Sequence, residues 1–250
     1  LFKIIFELWL YPELWYARNS NELIRHLEPT IDIPIRLHLD QPLTRRLQKQ
    51  RPRQEIKLLT KTLFEDAERF FKHPSLKQRI KLKLLSIKFL KNNTDIMRMD
   101  ENGSKYLKSY CDWQKKKKVK SKWFYSILLT GLDVYYEKSG KKIRASTARG
   151  YMNGMCNLAK SCTLIEWHPK NMAYLIAHEI AHSLGLSHDG HPSNKCKPQG
   201  FIMGAKYNKQ RHPRVWSHCS RNALKEFLML RERGPLRTHV AAGHSPTVNI

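Results

Sequence analysis

The alternation of apolar and polar positions marks the first elements. Ile33, Ile35, Leu37 and Leu39 alternate with Pro34, Arg36 and His38, a period of two that predicts a strand over Ile33–Leu39. Glu55–Phe71 instead places Ile56, Leu59, Leu63, Phe64, Ala67 and Phe70 at helical spacing and stops before His73-Pro74. Ile80–Leu90 returns to alternation as a long strand, Gly103–Lys116 reads as a helix, and Trp123–Leu129 suits a short buried strand. Between these, Gln41–Arg53 reads as a basic linker with two prolines, and Lys138–Arg149 as a Gly- and Lys-rich loop. Tyr151–Glu166 reads as two short strands around a Cys-containing turn. Asn171–Leu184 and Arg221–Arg231 are expected helices. Alternation of strand and helix through the first two-thirds points to an α/β chain, with a mixed sheet flanked by helices.

Composition narrows the picture. Of 250 residues, 41% are apolar, enough for a real core and against wholesale disorder. No stretch of about 18 uncharged apolar residues exists, so no membrane-spanning helix is expected. The start, Leu1–Tyr16, is apolar but broken by Lys3, Glu7, Pro12 and Glu13. Residues 1–30 are read as an unassigned leader or propeptide remnant, 31–233 as the folded domain, and 234–250 as a disordered tail. Without an initiator Met, the chain reads as a fragment at its N-terminus.

Lys and Arg number 46 against 21 Asp and Glu, a net charge of +25. Such a chain is attracted to polyanions, sulfated glycosaminoglycans among them. The basic residues fall in bursts at Arg45–Arg53, Lys115–Lys120, Lys138–Arg144 and Lys206–Arg214, and most read as solvated loops and faces. Neither an RNP-like aromatic strand nor Cys-Cys-His-His finger spacing is present, so no nucleic-acid partner is expected.

The chemistry is concentrated in Ala177–Asp189, AHEIAHSLGLSHD. On a helix His178 and His182 project from one face, roughly 6 Å apart along the axis, and both imidazoles reach one cation. Glu179, beside the first of them, is placed to act as general base on a zinc-bound water without ligating the metal. Ala173, Ile176, Ala177, Ile180 and Leu184 form an apolar stripe that anchors the helix. Gly185 permits the left-handed conformation that ends the helix and turns the chain back. That reversal brings His188 to the metal as a third ligand. Three histidines leave the fourth position of a tetrahedral Zn²⁺ open, the mark of a catalytic site. His168, His191, His212, His218, His239 and His244 read as loop residues.

The full H-E-x-x-H-x-x-G-x-x-H string resembles the metzincin zinc endopeptidases. Gly200–Ala205 resembles their Met-turn, with Met203 as the turn methionine, and Asp189 after the third His resembles the adamalysin (reprolysin) branch. FKHPSL at 71–76, YCDWQ at 110–114, GMC at 154–156 with KSC at 160–162, and WSHCSR at 216–221 resemble the ADAMTS proteases, disintegrin-like metalloproteases with thrombospondin motifs. They occur in that family's order over roughly Ile33–Leu230.

The resemblance implies an α+β metzincin-like catalytic domain with a mostly parallel sheet, an active-site zinc helix, and a smaller C-terminal subdomain holding the Met-turn and a final helix. It implies a secreted zinc endopeptidase acting on extracellular or matrix protein. The region Met155–Glu166 would pair with an extended substrate, and residues just after Met203 would wall the first primed pocket. One zinc ion is implied. Structural calcium is doubtful, because Ile33–Leu39 carries no acidic residue and Asp133 lacks its usual C-terminal partners. The alternative is a catalytically weak basic glycan-binding protein that keeps the zinc site, against which the intact Glu179 argues. Carried onto matching positions, the family's bridges join Cys111 to Cys162 and Cys196 to Cys219. Of the 5 cysteines this leaves Cys156 as a thiol.

Overall fold

In a computed structural model the chain is described over residues 30–91, 97–119, 123–144, 148–192, 194–205, 212–233 and 247–249. Residues 1–29 and 234–246, and with them most of the expected leader and tail, lie outside the described residues.

Strand β1 is Ile31–Leu39, and β2 (Ile80–Phe89), β3 (Tyr125–Thr130) and β7 (Cys162–Glu166) run parallel with it. Strand β6 (Ala148–Tyr151) is antiparallel to β7, and β8 (Thr247–Asn249) is antiparallel to β6. The sheet order is β2-β1-β3-β7-β6-β8. A separate hairpin joins β4 (Tyr136–Lys138) to β5 (Lys141–Ile143).

Burial follows the alternation. Ile33, Ile35, Leu37 and Leu39 point from β1 into the larger core, where they meet Ile56, Phe64 and Phe71 of α2 (Arg53–Phe71) and Ile176 and Ile180 of α4 (Met172–Ser183). The opposite sheet face packs Leu128 and Leu164 against Tyr106, Leu107 and Tyr110 of α3 (Gly103–Val119). There His38 is buried against the Tyr110 hydroxyl at 2.8 Å. The sheet is thus covered on both faces, as its parallel strands require.

Three expectations are corrected. The supposed linker Gln41–Arg53 contains a helix, α1 (Gln41–Gln48). Asp40 caps it by accepting from the Leu43 amide at 2.8 Å, and Pro42 sits in the first turn, where a missing N–H costs nothing. Lys138–Arg149 is not one loop. Ser139 and Gly140, both at positive φ (50° and 73°), make the two-residue turn of the β4–β5 hairpin, and β6 follows. Tyr151–Glu166 holds only the end of β6 and the whole of β7, with turns between. Of residues 234–250, Thr247–Asn249 are described, as a strand.

The C-terminal part is fastened to the body through two of the quoted motifs. Trp216 is buried, donates its indole N–H to the Phe70 carbonyl at 2.7 Å, and donates its amide to Ser75 Oγ at 2.8 Å. Arg221, in α5 (His218–Arg233), reaches the Ser75 carbonyl at 3.4 Å. Disulfides join Cys111 to Cys162 and Cys196 to Cys219. Cys156 is exposed and lies outside both. Alkylation without reduction is expected to label Cys156 alone; label on Cys111 or Cys196 in a peptide map would contradict the pairing.

Candidate metal centre

Every residue of helix α4 but Ala173 is buried, so its histidines project into the protein rather than into water. The Nε2 atoms of His178 and His182 lie 2.9 Å apart, and each is 3.1 Å from His188 Nε2. Gly185 follows the helix at φ +89° and turns the chain so that His188 returns to the other two. A Cβ there would also lie 2.5 Å from Asn153 Oδ1. The turn at Asn153–Met155 binds the helix end, with the Asn153 and Met155 amides donating to the His182 and Ser183 carbonyls.

The hydrogen bonds fix two tautomers. His178 Nδ1 lies 2.8 Å from the Ile202 carbonyl and His182 Nδ1 lies 2.7 Å from the Leu186 carbonyl. A carbonyl only accepts, so both Nδ1 atoms carry the proton. Their Nε2 lone pairs then face each other at a distance where two acceptors repel. A cation between the three nitrogens removes that conflict. Tetrahedral zinc with bonds of 2.0–2.1 Å separates its nitrogens by about 3.3 Å, close to the observed triangle. Carbonyl-bound Nδ1 protons are also the usual orienting partners of zinc-binding imidazoles. The residues therefore fit one zinc ion.

Burial and mutual repulsion keep these imidazoles neutral, the form that ligates. His178 is pulled down to about 3 by burial and then by His188, and His182 falls well below the ordinary value for the same reasons. Burial pushes Glu179 up to about 8, against the opposing pull of Thr163 and Arg149; a neighbouring cation would lower it. In the metal-free chain these shifts oppose each other. His178, His182 and the buried His38, itself near 3 through burial and then the nearby Lys117, lose stability as pH falls below 6.5, because the unfolded chain takes the protons first. Glu179 acts the other way, because between 4.5 and 8 the folded chain holds the extra proton. Burial also lowers His188 and His212, which add to the histidine side, and raises Asp40 and Asp189, which add to the other, so five groups outweigh three. Urea unfolding of chelator-treated protein is expected to show stability falling from pH 6.5 to 5; a rise over that range would contradict these environments.

Glu179 lies outside the nitrogen triangle. Its Oε2 is 3.3 Å from Thr163 Oγ1, and Oε1 has no hydrogen-bond partner. Thr163 Oγ1 donates to the Arg149 carbonyl at 2.6 Å, which fastens β7 to β6 beneath the carboxylate. A Cβ on Gly150 would lie 2.7 Å from Oε2, so only glycine leaves the carboxylate its place.

Met203 is fully buried in the turn following the site. The preceding Ile202 carbonyl accepts from both His178 Nδ1 and the Tyr174 hydroxyl, and the Met203 carbonyl accepts from the Asp189 amide at 2.7 Å. Asp189 is buried and takes the Ser217 hydroxyl at 2.6 Å; Ser217 Oγ in turn accepts from the Ser220 amide in the first turn of α5. Thr163, Arg149, Ser217 and the Ile202 carbonyl are missing from the sequence reading. Thr163 and Arg149 belong to no local motif; Ser217 and Ile202 lie inside the quoted WSHCSR and Met-turn segments, but nothing in those segments singles out a serine hydroxyl, and a backbone carbonyl leaves no residue-type signal.

A second cluster, Cys196, Cys219 and His218, brings ligand-type atoms together. Its two sulfurs are joined in a disulfide and are not thiolates. Asp133, considered for calcium, faces Arg144 at 3.2 Å. The observed β1 begins at Ile31 and so does include an acidic residue, Asp32, which pairs with Lys83.

The profile of the reprolysin (M12B) family zinc metalloproteases matches residues 45–236. A disintegrin and metalloproteinase with thrombospondin motifs 7 from Homo sapiens is 30% identical over 166 residues, covering 63% of this chain and 10% of that protein. Proteins of the same name numbered 18 and 16 from Mus musculus are 29% and 25% identical, covering 70% and 89% of this chain and 14% and 18% of their own length. The chain thus spans about a tenth to a fifth of these relatives. A solved chain described as part of a chaperone-substrate complex matches at TM-score 0.52 and 14% identity, over 80% of this chain and 36% of that one, a likeness of fold alone.

Proposed function

Because this chain belongs to the reprolysin (M12B) family of zinc metalloproteases, we propose that it is a secreted endopeptidase acting on extracellular or matrix protein, with His178, His182 and His188 as zinc ligands and Glu179 as general base. The observation that carries the reading is the facing of the three Nε2 atoms beside a carboxylate that is not among them.

A zinc ion held there supplies a Lewis acid that acidifies water and polarises a carbonyl. Glu179 takes the proton of the attacking water and delivers it to the leaving amine, for which its free Oε1 is available. Gly150 leaves the carboxylate its place, beside the Thr163 hydroxyl that ties β7 to β6. The Ile202 and Leu186 carbonyls hold two imidazoles with their lone pairs inward. His188 is the most exposed of the three, so substrate approaches from its side.

Strand addition of substrate at Met155–Glu166 is ruled out by the sheet. β7 has β3 on one side and β6 on the other, and the far side of β6 is itself paired with β8, so a substrate strand would have to take the place of β8 on β6. Digestion of a matrix protein should yield fragments cut at internal bonds, and chelator should prevent their formation. Intact substrate, or trimming from the ends alone, would refute the endopeptidase reading.

The charge supports a sulfated glycosaminoglycan as a second ligand, but with fewer contacts than the basic runs suggest. Lys115 and Lys116 are exposed on α3, whereas Lys118 is buried on the Ser161 carbonyl at 2.6 Å and burial pulls it down to about 7. Lys141 and Lys142 are exposed, while Arg144 is paired with Glu101 and Asp133. Heparin should retain the chain to higher salt than a plain cation exchanger does; equal elution would reduce the interaction to non-specific charge.

A further inference from the structure

We propose that Thr247–Asn249 is an intramolecular blocking strand, holding the β6 edge against an extended polypeptide. Its blocking role rests on the endopeptidase reading; the pairing itself does not.

The register places it at the catalytic end of the sheet. Arg149 pairs with Asn249, Gly150 with Val248 and Tyr151 with Thr247, all antiparallel. Gly150 is the residue whose close approach leaves room for the Glu179 carboxylate. Val248 lies opposite it, about 4.8 Å away across the sheet. The occupied length of edge is therefore the length nearest the proposed general base.

The two occupants exclude each other. An edge offers one row of N–H and C=O groups, and a strand already paired there leaves none for a second. β7 has no edge to substitute for it. Reach is not limiting. The residues 234–246 between α5 and β8 number 13 and span at most about 43–47 Å when extended. A segment so tethered competes at an effective concentration on the order of millimolar. Three residues of pairing then give a partial block, which a substrate overcomes as its concentration rises. Such a block raises KM and leaves kcat alone.

The test uses the zinc-loaded full chain and two variants. One carries Thr247→Pro, Val248→Pro and Asn249→Pro together and loses three amide donors. The other carries Thr247→Ala, Val248→Ala and Asn249→Ala and keeps them. In the proline variant, amide hydrogen exchange at Arg149–Tyr151 is expected to accelerate, and KM for casein to fall by about threefold or more at constant kcat. The alanine variant should match the parent in both. Unchanged exchange in the proline variant would overturn the pairing. Faster exchange with unchanged KM would overturn the block. Faster exchange with no cleavage by any of the three proteins would support the pairing and overturn the endopeptidase reading.

Discussion

Glu179→Gln is expected to lower kcat/KM by about 10²–10⁴-fold while the protein keeps its zinc and its fold, the usual cost of losing a general base. The side chain stands apart from the three nitrogens, with Oε2 beside Thr163 and Gly150 and Oε1 unbonded. Glutamine has the same shape, so neither the metal triangle nor the packing on β6 and β7 should move. It cannot take a proton, and the attacking water is then no better a nucleophile than its own acidity allows. Metal content, unfolding midpoint and casein cleavage measured on one preparation separate the effects. Full activity with zinc retained would remove Glu179 from the mechanism; loss of zinc would make it a ligand.

His182→Ala should instead remove metal and activity together. It deletes one of the three converging nitrogens and the donor to the Leu186 carbonyl. That carbonyl follows Gly185 in the turn that delivers His188, so the third ligand loses its support as well. The fall in activity should exceed the roughly 10–100-fold that removing an orienting partner of a ligand costs. The expected readout is zinc near zero per chain after dialysis and cleavage at background. Retention of one zinc per chain would place the metal elsewhere.

The zinc helix was the most legible part of the molecule in sequence, because its signals are local. His178 and His182 share a face through helix geometry alone, and Gly185 adopts the left-handed conformation that its position after the helix suggests. Strand β1 and helix α2 were legible from periodicity, since one face of each is buried. The misread elements depend on contacts from afar or on short turn chemistry. Ala148–Tyr151 has no alternation, with Gly150 spared a side chain by the carboxylate behind it and Arg149 buried over Tyr136. Strand position in the sheet is a property of sheet order, which periodicity does not encode; β7 lies inside the sheet, and β6 stands between it and β8. Helix α1 was hidden by Pro42, whose meaning reverses once Asp40 is seen to cap it. Lys118 illustrates the same limit for charge. It sits within a basic run, yet its ammonium is buried on Ser161.

Titration of the metal-free protein with Zn²⁺, followed by casein cleavage, tests the central claim most directly. Activity should rise from background and level off at one equivalent per chain, and chelator should return it to background. Cleavage that is indifferent to zinc, or no cleavage at any zinc concentration by a chain that binds one equivalent, would contradict the assignment of His178, His182, His188 and Glu179 to a zinc protease site.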